Sequence, residues 1–349
     1  MSVSKPSKAA SEVALLEVVD LKTHFRTERG VVRAVDGVTF SLDAGQTLGV
    51  VGESGSGKSV LSRSIMNLLP KRNVIREGTV TFDGQLTSRL GTKASRKLYG
   101  TGMAMIFQDP MTSLNPVVKI GRQITESLRL HFDMKKDFAN DTAEELLRSV
   151  GIPEPRRRLS EYPHQLSGGM RQRVVIAISL ACGPKLLFAD EPTTALDVTV
   201  QKQILNLLAR QQAERNMAMV LVTHDLGVVA GRTDEIMVMY AGQAVEKATT
   251  ASLFSSMRHP YTQALLNSIP KLSDPSHTRL EAIPGRPPNM ITPPPGCRFA
   301  PRCTFATEQC HAEQPPLIAD PVDPTHFYRC WFPVNITPKY QALAGAGVN

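Results

Sequence analysis

The eight residues Gly52-Glu53-Ser54-Gly55-Ser56-Gly57-Lys58-Ser59 constrain this chain more than any other stretch. They fit G-x-x-x-x-G-K-[S/T], follow an apolar run at Thr47–Val51 and precede a helical pattern that opens at Val60. A glycine-rich loop between strand and helix lets backbone N–H groups converge on an anion, and the helix N-terminus adds positive partial charge. In such a loop Lys58 reaches the β and γ phosphates of ATP, and the Ser59 hydroxyl ligates Mg²⁺. A chance glycine-rich turn lacks this strand-to-helix setting.

The surrounding sequence obeys the same logic. From Leu15 to about Met257, short aliphatic runs alternate with helical stretches, the pattern of an α/β domain on a mostly parallel sheet. Predicted strands at Thr47–Val51, Met103–Phe107, Lys185–Ala189 and Met217–Thr223 end on the glycine-rich loop, Gln108, Asp190 and His224. Open α/β sheets bind ligands at the carboxyl ends of their strands. The pair Asp190-Glu191 closes one of these runs. Successive strand residues point to opposite sides, which suits Asp190 to the Mg²⁺ shell and Glu191 to polarising a water as general base. An Asp-Glu pair alone usually marks a solvated turn; the phosphate loop in the same chain reverses that reading. Between Pro116 and about Met170 the pattern turns helical, with Asp141 and Glu144 as a capping box, Leu146, Leu147 and Val150 as an apolar face, and Gly151 as a stop.

Bulk properties exclude little. With 349 residues the chain can bury a large core without covalent staples. Its apolar runs break before membrane-spanning length. Met1–Glu12 is rich in Ser, Lys and Ala, lacks the apolar centre of a secretory signal, and is expected to be a disordered, cytoplasmic start. The formal charge of +8 suits an anionic membrane face or simple solubility. Without a basic stripe interleaved with aromatics, it gives little support to nucleic-acid binding.

Leu166-Ser167-Gly168-Gly169-Met170, followed by Arg171-Gln172-Arg173, is similar to the signature segment of ATP-binding-cassette (ABC) ATPases, which other phosphate-loop ATPases lack. That resemblance spans nearly all of Leu15–Met257 and implies a cassette with a mostly parallel core sheet, an antiparallel β subdomain and a helical subdomain. It also implies that two cassettes meet face to face. Ser167 and the N–H groups of Gly168 and Gly169 would then bind the γ phosphate held by the opposite subunit's loop. By the same resemblance Gln108 touches Mg²⁺ and the attacking water, and His224 contacts the γ phosphate and steadies Glu191. Asp197, in the Ala195-Leu196-Asp197 loop, joins the nucleotide-binding set, and Phe25 stacks on adenine. A lone Gln or His at a strand end, or an aromatic near one, is more often a structural group; family order is what raises these residues. Thr194-Ala195 stands where Ser-Ala is commoner, a departure that puts nothing catalytic in doubt.

After Met257 the sequence turns proline-dense, with Pro284, Pro287, Pro288 and Pro293–Pro295, and predicts a second, loop-rich module over 258–349 beside a cassette over 13–257. It holds Cys297, Cys303, Cys310 and Cys330, separated by five, six and nineteen residues, while Cys182 lies apart on the apolar helix after the signature. Four thiols in a cytosolic chain argue against disulfides. Zinc, an iron–sulfur cluster and unligated thiols all remain open from the residues, although short C-x₂-C pairs are missing. His259-Pro260-Tyr261, Pro284-Gly285 and Gly296-Cys297-Arg298-Phe299-Ala300-Pro301-Arg302-Cys303 resemble the C-terminal extension of oligopeptide- and dipeptide-importer ATPases. This implies a [4Fe–4S] cluster on the four cysteines, either a structural clip or a redox control. It also implies a peripheral subunit on the cytoplasmic face of a prokaryotic plasma membrane, partnered by a second, non-identical ATPase, two permeases and an external solute-binding protein. Other cargoes, such as nickel or glutathione, fit the same machine. A soluble cassette ATPase acting on DNA or ribosomes is the reading from a different class.

Overall fold

The computed structural model describes residues 14–334 except 89, 110–112, 195 and 269–282. The expected disordered start lies outside them, as does Ala195. The strands are β1 (Leu16–Thr27), β2 (Gly30–Leu42), β3 (Thr47–Val51), β4 (Val74–Phe82), β5 (Gln85–Leu86), β6 (Met103–Ile106), β7 (Leu186–Asp190), β8 (Ala218–Thr223), β9 (Glu235–Tyr240), β10 (Gln243–Thr249), β11 (Ile318–Ala319) and β12 (Phe327–Tyr328). They form a four-stranded antiparallel sheet, β2-β1-β4-β5, and an eight-stranded sheet, β11-β12-β10-β9-β3-β8-β7-β6. From β9 to β6 every pairing is parallel; from β9 outward to β11 every pairing is antiparallel.

The central strands read as unbroken apolar runs because both faces are covered. On β7, Leu186 and Phe188 pack toward β1, β2 and the helix Lys58–Ile65, while Leu187 and Ala189 pack toward helices on the other side. On β8, Val220 and Val222 take the first side, Met219 and Leu221 the second. Each such aliphatic side chain contributes about 2 kcal/mol when fully buried, so slipping a strand by one residue exchanges two complete layers. That register carries the strand ends, and their polar groups, to one rim.

Helices Ile120–Phe132, Lys136–Ser149 and Gly168–Leu180 pack together beside this core. The expected capping box at Asp141 is not a helix start. The helix begins at Lys136 after an N-cap at Lys135 without a side-chain cap, which leaves Asp141 in its interior. The buried face runs back through Ala143 to Ala139, and this apolar spacing outweighs the local capping signal. The stop was read correctly: Gly151 adopts φ +74° and its N–H donates to Arg148 O. Cys182 is buried just beyond the helix that ends at Leu180 rather than on it.

The C-terminal region is less separate than its prolines suggest. Strand β12 pairs with β10 and extends the core sheet. Beneath this junction the fully buried Glu246 carboxylate accepts the N–H groups of Arg258 (2.5 Å) and His259 (3.0 Å) and pairs with His326 Nε2 (2.7 Å). Asp320 pairs with Arg258, and Ser252 Oγ donates to Asp323.

Candidate nucleotide site

Strand β3 runs into the glycine-rich loop, and the helix begins at Lys58, two residues before its apolar pattern. Two glycines are there for close approach. Gly52 (φ +153°) and Gly57 (φ +102°) lie where a Cβ would collide with the carbonyl oxygens of Met239 and Ala34. Ser54 and Gly55 are exposed at the loop tip, and Ser56 is buried. Lys58 Nζ donates to Gly52 O (2.7 Å), Glu53 O (2.9 Å) and Ser56 Oγ (3.4 Å). Burial lowers the Lys58 pKa, against the pull of Glu191, Asp190 and Glu53. Val60 packs half-buried on the core side of the first turn.

Ser59 Oγ donates to Asp190 Oδ1 at 2.8 Å. Asp190 is fully buried, burial raises its pKa, and Oδ2 has no hydrogen-bond partner. An orphaned carboxylate oxygen beside a hydroxyl and a lysine is a donor set suited to Mg²⁺.

Glu191 lies outside the strand. Strand β7 ends at Asp190 and Glu191 turns into the left-handed region (φ 46°), its N–H held by Val222 O at 2.9 Å. The two acids therefore diverge through a strained turn rather than through strand alternation as expected. Glu191 Oε2 accepts from Gln108 Nε2 (3.1 Å) and from Thr194 Oγ1 (2.9 Å) and lies 3.4 Å from His224 Nδ1. Lys58, Ser59, Gln108, Asp190, Glu191 and His224 are thus gathered at the ends of β3, β6, β7 and β8.

Among the described residues the expected contributors Ser167, Gly168, Gly169, Asp197 and Phe25 are not joined to this cluster by hydrogen bonds. Ser167 is an exposed N-cap whose Oγ accepts from Met170 N–H (3.4 Å), with Gly168 exposed and open space around its Cα. Among the described residues no hydrogen bond joins Ser167–Gly169 to Gly52–Ser59. Asp197 caps the helix Val198–Arg215, its Oδ1 accepting from Val200 N–H at 2.9 Å. Phe25 sits half-buried on β1, paired with Val32 and Val74.

Two groups escaped the sequence reading. Thr194, taken as a harmless departure, donates to Glu191. Gln172 is buried and donates to Pro192 O (2.6 Å), bracing the turn after Glu191. Both closely follow Glu191 or the signature in sequence, but only folding aims them.

The four C-terminal cysteines line one small apolar cavity with Phe299 and Trp331. Burial raises the thiol pKa of Cys297 and Cys303 and pushes Cys330 up to about 12. Backbone hydrogen bonds act in the opposite direction, from Phe299 and Ala300 onto Cys297, from Phe305 onto Cys303 and from Phe332 onto Cys330. Among the described residues no group of three or more His, Cys, Asp or Glu side chains is gathered closely enough to hold a metal ion.

Comparisons with known proteins identify the family. The family described as ABC transporter matches residues 35–194, and the oligopeptide/dipeptide transporter C-terminal region matches 245–310. The chain is 48% identical to the oligopeptide transport ATP-binding protein OppD of Bacillus subtilis, over 94% of this chain and 91% of that protein. It is 50% identical to the dipeptide transport ATP-binding protein DppD of Escherichia coli, over 87% of this chain and 93% of the relative. Among solved structures, a dimeric post-hydrolysis state of the ATP-binding cassette MJ0796 with ADP and Pi superposes with a TM-score of 0.61 at 27% identity, covering 67% of this chain and 98% of that one. The chain is therefore a member of the ABC transporter family, in its group of oligopeptide and dipeptide transport ATP-binding proteins.

Proposed function

We propose that this chain is the subunit that hydrolyses ATP to drive uptake of di- or oligopeptides, working at the cytoplasmic face of the plasma membrane. Among the described residues no helix is long and apolar enough to cross a membrane, so the passage itself is assigned to two permease subunits, fed by an external solute-binding protein. The observation that carries the reading is the meeting of Lys58, Ser59, Asp190 and Glu191 at one sheet rim, which combines phosphate binding with a poised carboxylate.

In this reading the cassette spans 13–257. Residues 52–60 cradle the triphosphate, Lys58 neutralises its β and γ phosphates, and Ser59, Asp190 and Gln108 hold Mg²⁺, which offsets charge on the phosphate oxygens when bound. Glu191 accepts a proton from water as the water oxygen bonds the γ phosphorus and the bridging bond to ADP breaks. Gln108, His224 and Thr194 orient that carboxylate. Phe25 faces the adenine. Ser167, Gly168, Gly169 and Asp197 act across a dimer interface on the partner's nucleotide, and the partner is a second, non-identical ATPase. Its exposed cap and open glycine suit the signature helix to that role. The groove lined by Lys119, Arg122, Thr125 and Arg129, between the helices that follow Gln108, is the seat for the permeases.

In the module over 258–349, Cys297, Cys303, Cys310 and Cys330 hold a [4Fe–4S] cluster that clips the loops together. Support comes from the shared apolar cavity and the amide donors aimed at the sulfurs, as cluster thiolates require. Anaerobic purification should yield iron and acid-labile sulfide in equal amounts, lost together in Cys→Ser variants.

The central test is Glu191→Gln in the assembled importer with peptide-loaded binding protein. Turnover should fall at least about a hundredfold while ATP stays bound. Normal turnover in that variant would refute the assignment.

A further inference from the structure

We infer that Arg302 is a positioning residue for the phosphate loop, holding and neutralising Glu53 so that the loop can accept a triphosphate. This rests on the reading that Gly52–Ser59 binds ATP.

Glu53 is an awkward residue at its position. It places a carboxylate in a loop whose backbone is shaped to attract anions, and an uncompensated negative charge there opposes the nucleotide. Arg302, 249 residues away in sequence, meets it with both terminal nitrogens: Nη1 donates to Oε2 at 2.6 Å and Nη2 to Oε1 at 3.0 Å. Such a forked pair fixes direction as well as charge.

The guanidinium is itself anchored. Nε donates to Pro284 O (2.8 Å), Nη2 also to Ile283 O (3.2 Å) and Nη1 also to Tyr240 Oη (3.3 Å), while the group lies 5.7 Å from the Tyr240 ring centroid. All five donors of the fork have an acceptor. The Arg302 side chain is 3% exposed, the Glu53 side chain 28%. The arginine is therefore the fixed member of the pair and the loop residue the one being held.

The backbone of Glu53 is gripped as well. Its N–H donates to Tyr261 Oη (2.8 Å) and its carbonyl accepts from Lys58 Nζ (2.9 Å). Tyr261 and Tyr240 pack against Phe299 with ring centroids 5.3 and 5.2 Å away. Pro287, Pro288 and Met290 share a small cavity with Glu53–Ser56. The loop's entry residue is thus held from three directions by the segment that carries the cysteines, and Arg302 immediately precedes Cys303. Among the described residues Arg302 makes the ion pair to this carboxylate, whereas Lys58 hydrogen-bonds the carbonyl of Glu53 and acts on its side chain only through the longer-range field.

The test uses the purified full-length chain and measures MgATP dissociation constants alongside melting temperature without nucleotide. Arg302→Ala should weaken MgATP binding about tenfold by leaving the carboxylate uncompensated. Glu53→Gln in that background should recover most of the loss, because it removes the charge that needed an escort. Arg302→Lys, keeping the charge but not the fork, should weaken binding by an amount between wild type and Arg302→Ala. A purely structural arginine gives the opposite pattern: the double variant binds no better than Arg302→Ala. That result, or wild-type affinity in a folded Arg302→Ala protein, overturns the inference. Lys58→Ala separates the two levels, since retained binding in it would overturn the phosphate-loop reading itself.

Discussion

Glu191 shows how much of this site is decided one residue at a time. Its left-handed backbone and three polar neighbours hold a single oxygen, Oε2, in place. Thr194 supplies the shortest of those contacts, and removing its hydroxyl takes away about 1 kcal/mol of orientation. Thr194→Ala should lower kcat three- to tenfold with KM for ATP little changed, whereas Thr194→Ser should keep the wild-type rate; steady-state ATPase assays of the importer decide it. A second residue-level prediction concerns His259, 1% exposed, whose Nδ1 accepts from Tyr261 N–H at 3.0 Å and so caps the helix Pro260–Asn267. Burial pushes its imidazole down to about 4, against the opposing pull of Glu246. The unfolded chain takes up a proton below about 6.5 that the folded chain refuses until about 4. Stability from this residue is therefore complete above pH 6.5 and falls as pH drops toward 4, by about 3 kcal/mol in all. His259→Asn keeps a capping acceptor and removes the titration, so denaturant midpoints measured from pH 7 to 5 should fall less steeply in it than in wild type.

At the scale of elements, the junction of β10 with β12 depends on one buried acid. Glu246 receives two backbone N–H groups and His326. Glu246→Ala would strand three donors in a dry interior, at a cost of about 3 kcal/mol or more. Hydrogen exchange should show β12 and the chain around Arg258 losing protection first, with β3 and β8 retaining theirs; uniform loss would mean that this region has no separate docking step. The same junction shows where sequence reading stops. The core strands were legible because each is a short apolar run ending on a polar residue, and their boundaries hold within one residue. The phosphate loop, the acid pair and the signature were legible because their chemistry is confined to a few consecutive positions. Asp141 misled because a capping pattern is local while Ala139 and Ala143 answer to a distant core. Attachment of the C-terminal strands to β10, and the fork of Arg302 on Glu53, bring together residues far apart in the chain, and no local spacing encodes them.

At the scale of the whole molecule, the signature segment faces solvent. Lys58 and Glu191 lie together, whereas Ser167 and Gly168 present a free helix start to solvent, and Val198 beside Asp197 is 82% exposed. An exposed helix N-terminus with an uncrowded glycine at its first turn is complementary to a phosphate supplied from outside. Binding and closure should therefore separate cleanly. In a Glu191→Gln background, where the proposed role of Glu191 predicts that ATP persists, MgATP should drive this chain into a stable complex with the second ATP-binding subunit proposed above, visible by size-exclusion chromatography. Adding Ser167→Arg places a bulky side chain where, in the proposed two-cassette arrangement, the second nucleotide's γ phosphate would approach. It should abolish that complex while leaving the isolated chain's MgATP dissociation constant within about twofold, since among the described residues no hydrogen bond joins Ser167 to the loop of its own chain. If Ser167→Arg instead weakens ATP binding to the isolated chain and spares the complex, the signature acts within one subunit, and the two-cassette arrangement does not describe this protein.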